Sequence, residues 1–304
     1  MSKAPPKKLS RLALLEQYKR GENITALLRG DEVQNSEEMI EVAYDLQTGS
    51  YVSALQDEST RLHKQQYGGE IASIISEFGE TQTILEAGVG EATTLSFVLQ
   101  QLDVPQAFGF DISWSRLCMA KEWLEAEGLL DRCNLFTGSL FEIPLPDNSI
   151  DVVYTSHSIE PNGGHEEAAL RELYRVAGKW LILLEPAFDL AEIEAKQRMQ
   201  KHGYCINLFS AINSLGYDVV RHELFPLAIN PLNPTGITII RKPEVSRNPP
   251  ALCCPVTRGE LVPVNGAMFS PQHLAAYPVL EGIPCLRSEN AIVASRLLST
   301  TDKQ

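Results

Sequence analysis

Apolar residues recur along this chain with two different periods, and the places where the period changes mark its elements. From Leu9 to Leu28, Leu12, Leu15 and Tyr18 return at helical spacing and predict an amphipathic helix ended near Gly21 or Gly30. A second helix is expected over Glu37–Leu46, ahead of Gly49-Ser50-Tyr51. A third is expected from Ser53 to Phe78, with Tyr67-Gly68-Gly69 as its candidate interruption. Beyond it the pattern becomes short apolar runs bounded by glycine and proline. Ile84–Ala87, Gln106–Asp111, the run beginning at Cys133, Ile150–Ser156 and Trp180–Pro186 read as buried strands. Ala168–Val176 returns to helical periodicity and is followed by a turn at Gly178-Lys179. Leu190–His202 and Leu208–Leu215 are two further helical stretches. Strands alternating with helices place the chain in the α/β class.

The most informative stretch is Ile84 to Thr94, a strand that runs into a glycine turn and then the first turn of a helix. The next strand ends in a carboxylate, Asp111. Together they make a nucleoside half-site, in which glycines admit the ligand to the backbone and the carboxylate holds ribose hydroxyls. A dinucleotide needs its pyrophosphate over the helix N-terminus. Here the turn reads Glu86-x-Gly88-x-Gly90-x-Ala92, and a carboxylate two residues before the first glycine repels a pyrophosphate but attracts an ammonium or a sulfonium.

These residues resemble the Rossmann-like S-adenosylmethionine-dependent methyltransferases, with Ala92 in place of a third glycine. The proline-punctuated segment Ile143–Ser156 resembles the same family, as do the helix 168–176 and the strand that follows it. Gly216–Val220 and Ile237–Ile240 are similar to the antiparallel sixth and seventh strands that close its sheet. The resemblance, from about Ile71 to Arg241, implies a seven-stranded α/β domain under an N-terminal helical cap, with S-adenosyl-L-methionine as cofactor. Carried over residue by residue, the cofactor-binding set is Glu86, Ala87, Gly88, Gly90, Asp111, Ile112, Gly138, Ser139, Leu140 and Ser156. Ser139 stands where the family places an adenine-binding aspartate. The cap implies Tyr44, Tyr51 and Tyr67 as lid residues, against the plainer reading that they pack helices on the sheet.

A formal net charge of −13 favours a small-molecule acceptor over nucleic acid, because the basic clusters are short and interrupted by acids. No apolar run approaches the length of a membrane span, the basic N-terminus lacks an apolar signal core, and six scattered cysteines read as reduced thiols. A cytoplasmic protein is the expectation, and a homo-oligomer is left open.

A proline-rich link, 243–250, marks a domain boundary. After it, Leu252-Cys253-Cys254-Pro255 and Tyr277-Pro278-Val279-Leu280-Glu281-Gly282-Ile283-Pro284 resemble the small zinc-ribbon-like activator subunit of tRNA, rRNA and release-factor methyltransferases. That resemblance implies docking in cis on the catalytic domain. It does not imply zinc: Thr257 and Ser270 occupy expected cysteine positions, and a tetrahedral site needs four ligands. The expected organisation is a tail (1–10), a helical cap (11–70), the methyltransferase domain (71–242), the link, a small α+β or β domain (251–298) and a second tail (299–304).

The acceptor side depends on the loop after the fourth strand, which lies beyond the carboxyl ends of the strands. It offers His157 and His165 as candidate bases and Glu160 as a further candidate catalytic group, with no metal-ligand spacing. The alternative for His165 is the first turn of a helix beginning after Gly163-Gly164. His202 and Tyr204 are further candidate substrate contacts. Thr155-Ser156-His157-Ser158 replaces the Asn-Pro-Pro-Tyr type of signature for planar amide or amine nitrogens. The leading expectation is methyl transfer to an oxygen or nitrogen of a small molecule, sugar or natural product. The alternatives are a tRNA or protein methyltransferase and a catalytically silent cofactor-binding scaffold.

Overall fold

The structure, a computed structural model, describes residues 10–298 except Asp31, Val33 and Ile229, so both expected tails fall outside it apart from Ser10. Five helices come first: α1 (Arg11–Lys19), α2 (Ile24–Arg29), α3 (Glu37–Leu46), α4 (Ser50–Ala54) and α5 (Glu58–Ser76). The alternating region follows with β1 (Thr83–Ala87), α6 (Thr93–Leu99), β2 (Gln106–Asp111), α7 (Trp114–Ala126), β3 (Cys133–Thr137), β4 (Ile150–Ser156), α8 (Glu166–Val176) and β5 (Ala177–Pro186). Then come α9 (Ile193–His202), α10 (Leu208–Ser214), β6 (Asp218–Leu224) and β7 (Thr235–Arg241). The C-terminal part is built from β8 (Val262–Val264), β9 (Ala267–Ser270), β10 (Ala275–Leu280), β11 (Ile283–Pro284) and β12 (Ile292–Val293).

The α/β expectation holds. Seven strands form one sheet in the order β3-β2-β1-β4-β5-β7-β6. β1 to β5 run parallel, and β7 pairs antiparallel with both β5 and β6. Helices cover both faces. One core packs Ile71 and Ile75 of α5, Leu95 of α6 and Leu117 of α7 on the sheet, and the other packs Leu170 and Leu173 of α8 and Ile212 of α10.

Three local expectations are corrected. The N-terminal helix is two helices, because Gly21 takes φ 85° and Asn23 then starts α2 by accepting from Ala26 N. The long third helix begins only at Glu58, where Asp57 caps the chain, and Tyr67-Gly68-Gly69 does not interrupt it. A Cβ on Gly68 would lie 2.6 Å from Phe97 Cβ, so the glycine serves close approach of α5 to α6 rather than a break. Gly178-Lys179 is strand, not turn, since β5 starts at Ala177.

The link 243–250 is extended and pinned. Arg247 donates to Asn148 O at 2.8 Å and to Asp151 Oδ1 at 2.7 Å, and its guanidinium fills the space a side chain on Gly178 would need. The C-terminal strands form their own small sheet, yet they share the second core of the main one through Leu252, Cys254, Leu261, Tyr277 and Leu286. They also cover the outer edge of the large sheet: Cys285 bridges Thr137 of β3, and Leu286 N donates to Thr137 O at 3.1 Å. This bridge satisfies the backbone at the carboxyl end of that edge strand. In this part of the chain Cys254 Sγ lies 3.4 Å from the Tyr277 hydroxyl. Burial raises its thiol, but the hydroxyls of Ser270, Thr257 and Tyr277 outweigh this and hold it below the ordinary value.

Asp151 joins three segments at the start of β4. It pairs with Lys179 at 2.8 Å and Arg247 at 2.7 Å and accepts from Gln82 N at 2.8 Å. Burial alone would raise its carboxyl, but these partners pull it down to about 2. A depressed carboxylate stabilises the fold above the unfolded value and loses that contribution as pH falls through the folded one. Asp151→Asn is therefore expected to cost on the order of 2 kcal/mol at pH 7 and progressively less below pH ~4. Thermal melts of both proteins from pH 7 to pH 2.5 test this, and a pH-independent difference contradicts it.

Candidate active site

At the carboxyl ends of the strands the chain folds back through β1 into the glycine turn. Gly88 N and Val89 N both donate to Phe110 O, at 2.9 and 2.8 Å, which ties the turn to β2. Gly88 and Gly90 take φ 75° and 54°. Ala92 takes φ 55°, a left-handed conformation that an alanine occupies at a cost of about 1 kcal/mol. A Cβ on Gly88 would fall 2.2 Å from Ser158 Cβ, so only glycine lets β1 and the β4 loop meet there.

Two carboxylates frame the turn. Asp111 accepts from Gly90 N and Ser113 N, both at 2.9 Å, while burial holds its pKa above the ordinary range. Glu86 is buried and receives the Tyr154 hydroxyl at 2.9 Å. Its desolvation is less well compensated, and its pKa is pushed up to about 8 despite Tyr154 and the nearby Lys64 ammonium. Lys64 reaches in from α5, its Nζ 3.4 Å from Thr94 Oγ1.

The helical cap is stitched to this turn by acids. Glu91 accepts from Gly49 N at 2.9 Å and Val52 N at 2.7 Å. Asp45 accepts from Ser113 Oγ at 2.8 Å. Arg116 donates to Tyr44 O at 2.9 Å and lies 4.8 Å and 4.4 Å from the ring centres of Tyr44 and Tyr51. The result is a cavity of about 290 Å³ between cap and sheet.

The far wall is the loop after β4, held by a third buried carboxylate. Glu185 accepts from the backbone N–H groups of Ser158, Ile159 and Glu160 at 3.0 to 3.1 Å, and burial pushes its pKa up to about 7. His157 sits at φ 58° with both ring nitrogens engaged, Nδ1 by Glu160 Oε2 and Nε2 by Thr235 Oγ1 at 2.7 Å. Burial lowers the imidazole and raises the carboxyl, but the pairing reverses both, so His157 is held above and Glu160 below its ordinary value. Each shift favours the charged form of its group.

Of the residues read from sequence, Glu86, Gly88, Gly90, Asp111, Ile112, Gly138, Leu140, Ser156 and His157 line the cavity. The side chains of four others lie off its wall. Ala87 turns its methyl into the core against the face that carries α8. Ser139 gives its hydroxyl to Glu37 Oε1 at 2.6 Å. Glu160 stands behind His157, bonded also by Asn233 at 3.1 Å. His165 is the N-cap residue of α8 with its ring edge on Phe141, 5.7 Å between centres, which is the alternative placement its Gly-Gly context allowed. Tyr44 and Tyr51 line the cavity, whereas Tyr67 packs against Phe225 and touches it only through its hydroxyl on Ser156 at 3.2 Å. Sequence reading missed Glu37, Lys64 and Arg116 on the wall. No motif marks them, since each arrives from a helix packed across the cleft.

A second cavity, about 310 Å³, adjoins the first, sharing Tyr44 and Pro161 as wall, and contains His202 and Tyr204. Among the described residues no cluster of three metal-ligating side chains occurs, and no helix is long and apolar enough to cross a membrane.

Residues 84–179 match the family described as a methyltransferase domain. That segment, from β1 into β5, is where the chain is similar to methyltransferase domains. S-adenosylmethionine is the cofactor of that domain. The chain is 25% identical over 170 residues to ajmaline N-methyltransferase from Rauvolfia serpentina, and spans little more than half of that relative (56%) and 55% of itself in the match. A candidate O-methyltransferase from Nostoc punctiforme PCC 73102 shares the fold at TM-score 0.55 and 16% identity, covering 76% of this chain and 70% of that one. So does a candidate methyltransferase solved with the Trm112 methyltransferase activator of Haloferax volcanii, at TM-score 0.50 and 14% identity, covering 65% and 97%.

Gly88→Ala is expected to force β1 from the β4 loop and abolish binding of S-adenosylhomocysteine while leaving the far-ultraviolet dichroism of the fold in place. Ala92→Gly should be neutral to stabilising by up to about 1 kcal/mol. Calorimetry and melts on the two variants check the pair, and unchanged binding by Gly88→Ala contradicts the close approach.

Proposed function

We propose that the protein transfers a methyl group from S-adenosylmethionine to an oxygen or nitrogen of a small-molecule acceptor. The observation that carries this reading is Glu86: a buried carboxylate, opening on the cavity, whose compensation within the protein falls short. An amino-acid ammonium at that point supplies the missing charge, and the Lys64 ammonium beside it suits the accompanying carboxylate. Asp111, fixed by two backbone donors at the end of β2, takes the ribose hydroxyls.

Glu37 takes the place expected of Ser139 at the adenine end. It lines the cavity, and its bond to Ser139 orients it from the cap. The carboxylate that the third strand lacks is thus provided by α3 to accept the exocyclic amine. When bound, the cofactor supplies an electrophilic methyl carbon on a sulfonium. The protein's part is to align an acceptor lone pair behind that carbon and exclude water. Tyr44, Pro161 and His157 close the place where acceptor and methyl meet. As an ion pair, His157 and Glu160 act by positioning.

The C-terminal strands serve as an activator-like module docked in cis. Support comes from their pairing with β3, from Arg258 on Glu172 at 3.0 Å, and from Arg287 on Glu41 of the cap at 2.6 Å. The solved neighbour that binds a separate activator accords with this arrangement.

Calorimetry with S-adenosylmethionine against NAD tests the reading, followed by methyl transfer to candidate acceptors. Glu86 must ionise to meet an ammonium, so affinity should tighten by up to tenfold per pH unit as pH rises towards about 8 and then level. Glu86→Gln should bind at least tenfold more weakly with no such rise, and Glu37→Ala should weaken binding more than Ser139→Ala. Binding of NAD and not of the methyl donor would sink the proposal.

A further inference from the structure

The second cavity differs from the first in its charge. Its wall is built by α1, α2 and the segment 202–204, and Arg29 closes it by donating to Lys201 O at 3.0 Å. Arg29 lines it directly. Arg198 stands behind Tyr204, its guanidinium carbon 5.7 Å from the ring centre, with a buried Nη1 that has no hydrogen-bond partner. Neither arginine forms an ion pair among the described residues. His202 and Tyr204 stack at 5.4 Å and present their rings to the same space. Asn35 is buried and gives its amide to Pro161 O at 2.8 Å, leaving Oδ1 unpartnered.

On a chain of net charge −13 this is a local inversion of sign. Its effect registers on His202, which is held below its ordinary value first by burial and then by Arg198, Arg29 and Lys201, with Glu160 acting the other way. Glu22 is the one acid on the described wall, and Glu160 is neutralised by His157. With Arg29 on its wall and the Arg198 guanidinium behind Tyr204, the cavity favours an anion, which Arg29 can hold by charge-assisted hydrogen bonds. Neither Arg29 nor His202 reaches the first cavity, which meets the second only at Tyr44 and Pro161.

We propose that the second cavity is the acceptor subsite and that it selects a small molecule bearing an acidic group, carboxylate or phosphate, held by Arg29 and His202, with the charge of Arg198 behind Tyr204, away from the atom that is methylated. Asn35 Oδ1 accepts an O–H or N–H of the same molecule near Pro161. This rests on the methyl-transfer reading for its orientation, because the reacting atom must sit at the shared wall.

The test uses the full chain loaded with S-adenosylhomocysteine and three probes that share one phenol ring: 4-hydroxybenzoate, 4-hydroxyphenyl phosphate and 4-hydroxybenzamide. Calorimetry should show at least one acidic probe binding tenfold or more tighter than the neutral amide, and the two acids separate carboxylate from phosphate recognition. Arg29→Gln and His202→Gln should each remove most of that preference while S-adenosylhomocysteine binds as before. Equal affinity for acid and amide, no binding of either acid, or indifference to Arg29→Gln overturns the inference. Failure of S-adenosylhomocysteine to bind strikes the donor reading instead, and the same titration of the unloaded protein then decides the second cavity on its own.

Discussion

Burying carboxylates around one cleft is the constraint on which the rest of this structure depends. A carboxylate taken out of water must be neutralised, paired or given donors. Glu91 receives two backbone N–H groups from the cap, Glu185 three from the loop after β4, and Asp111 two from the glycine turn and the start of α7. Each of these solutions fixes a piece of backbone, so the cleft's geometry is a by-product of satisfying its acids. Glu86 is the exception, with one tyrosine hydroxyl and a neighbouring ammonium. Its raised pKa means that ionisation destabilises the empty fold between about 4.5 and about 8, and a cationic ligand relieves that penalty. The defect that weakens the protein alone is the feature on which the proposed binding of a charged amino-acid moiety turns.

The same economy explains why cap, sheet and C-terminal strands act as one unit. Asp45 and Arg116 join α3 to α7, and Arg287 joins the C-terminal part to α3 through Glu41. The small sheet lacks a core of its own size and completes itself on the large one. A thiol and hydroxyls cluster around Cys254, and the unit is held by the shared apolar contacts and the bridge to β3.

The fold was legible because its signals are local. Apolar strands between glycine and proline, with a carboxylate closing β2, placed the α/β sheet, and the Glu86-to-Ala92 turn lies where its spacing put it. Glycine carried more than one meaning: Gly21 and Gly30, offered as alternative ends of one helix, each end one of two, Gly68 lets two helices touch, and Gly178 makes room for Arg247 inside a strand. Those meanings depend on a partner distant in sequence. The site divided in the same way. Residues on the strand ends were found in order, while Glu37, Lys64 and Arg116 arrive from helices whose faces no motif marks. Ser139 gives its hydroxyl to Glu37, an acid from α3 that no position in the third strand announces.

His157 sharpens what kind of catalysis the cleft supports. Read alone, a histidine beside the fourth strand is a general base. In place it is strained into the left-handed region, charged by Glu160 and bonded on its other nitrogen to Thr235. Both of its nitrogens already have partners within the protein. It does tie the ends of β4 and β7 together at the mouth of the first cavity, and through Glu160 it touches Asn233 and the Tyr204 side of the second. Displacement at a sulfonium carbon asks mainly for alignment. A rigid ion pair between the two cavities meets that demand better than a mobile base, and it leaves proton loss to an acceptor whose own acidity permits it.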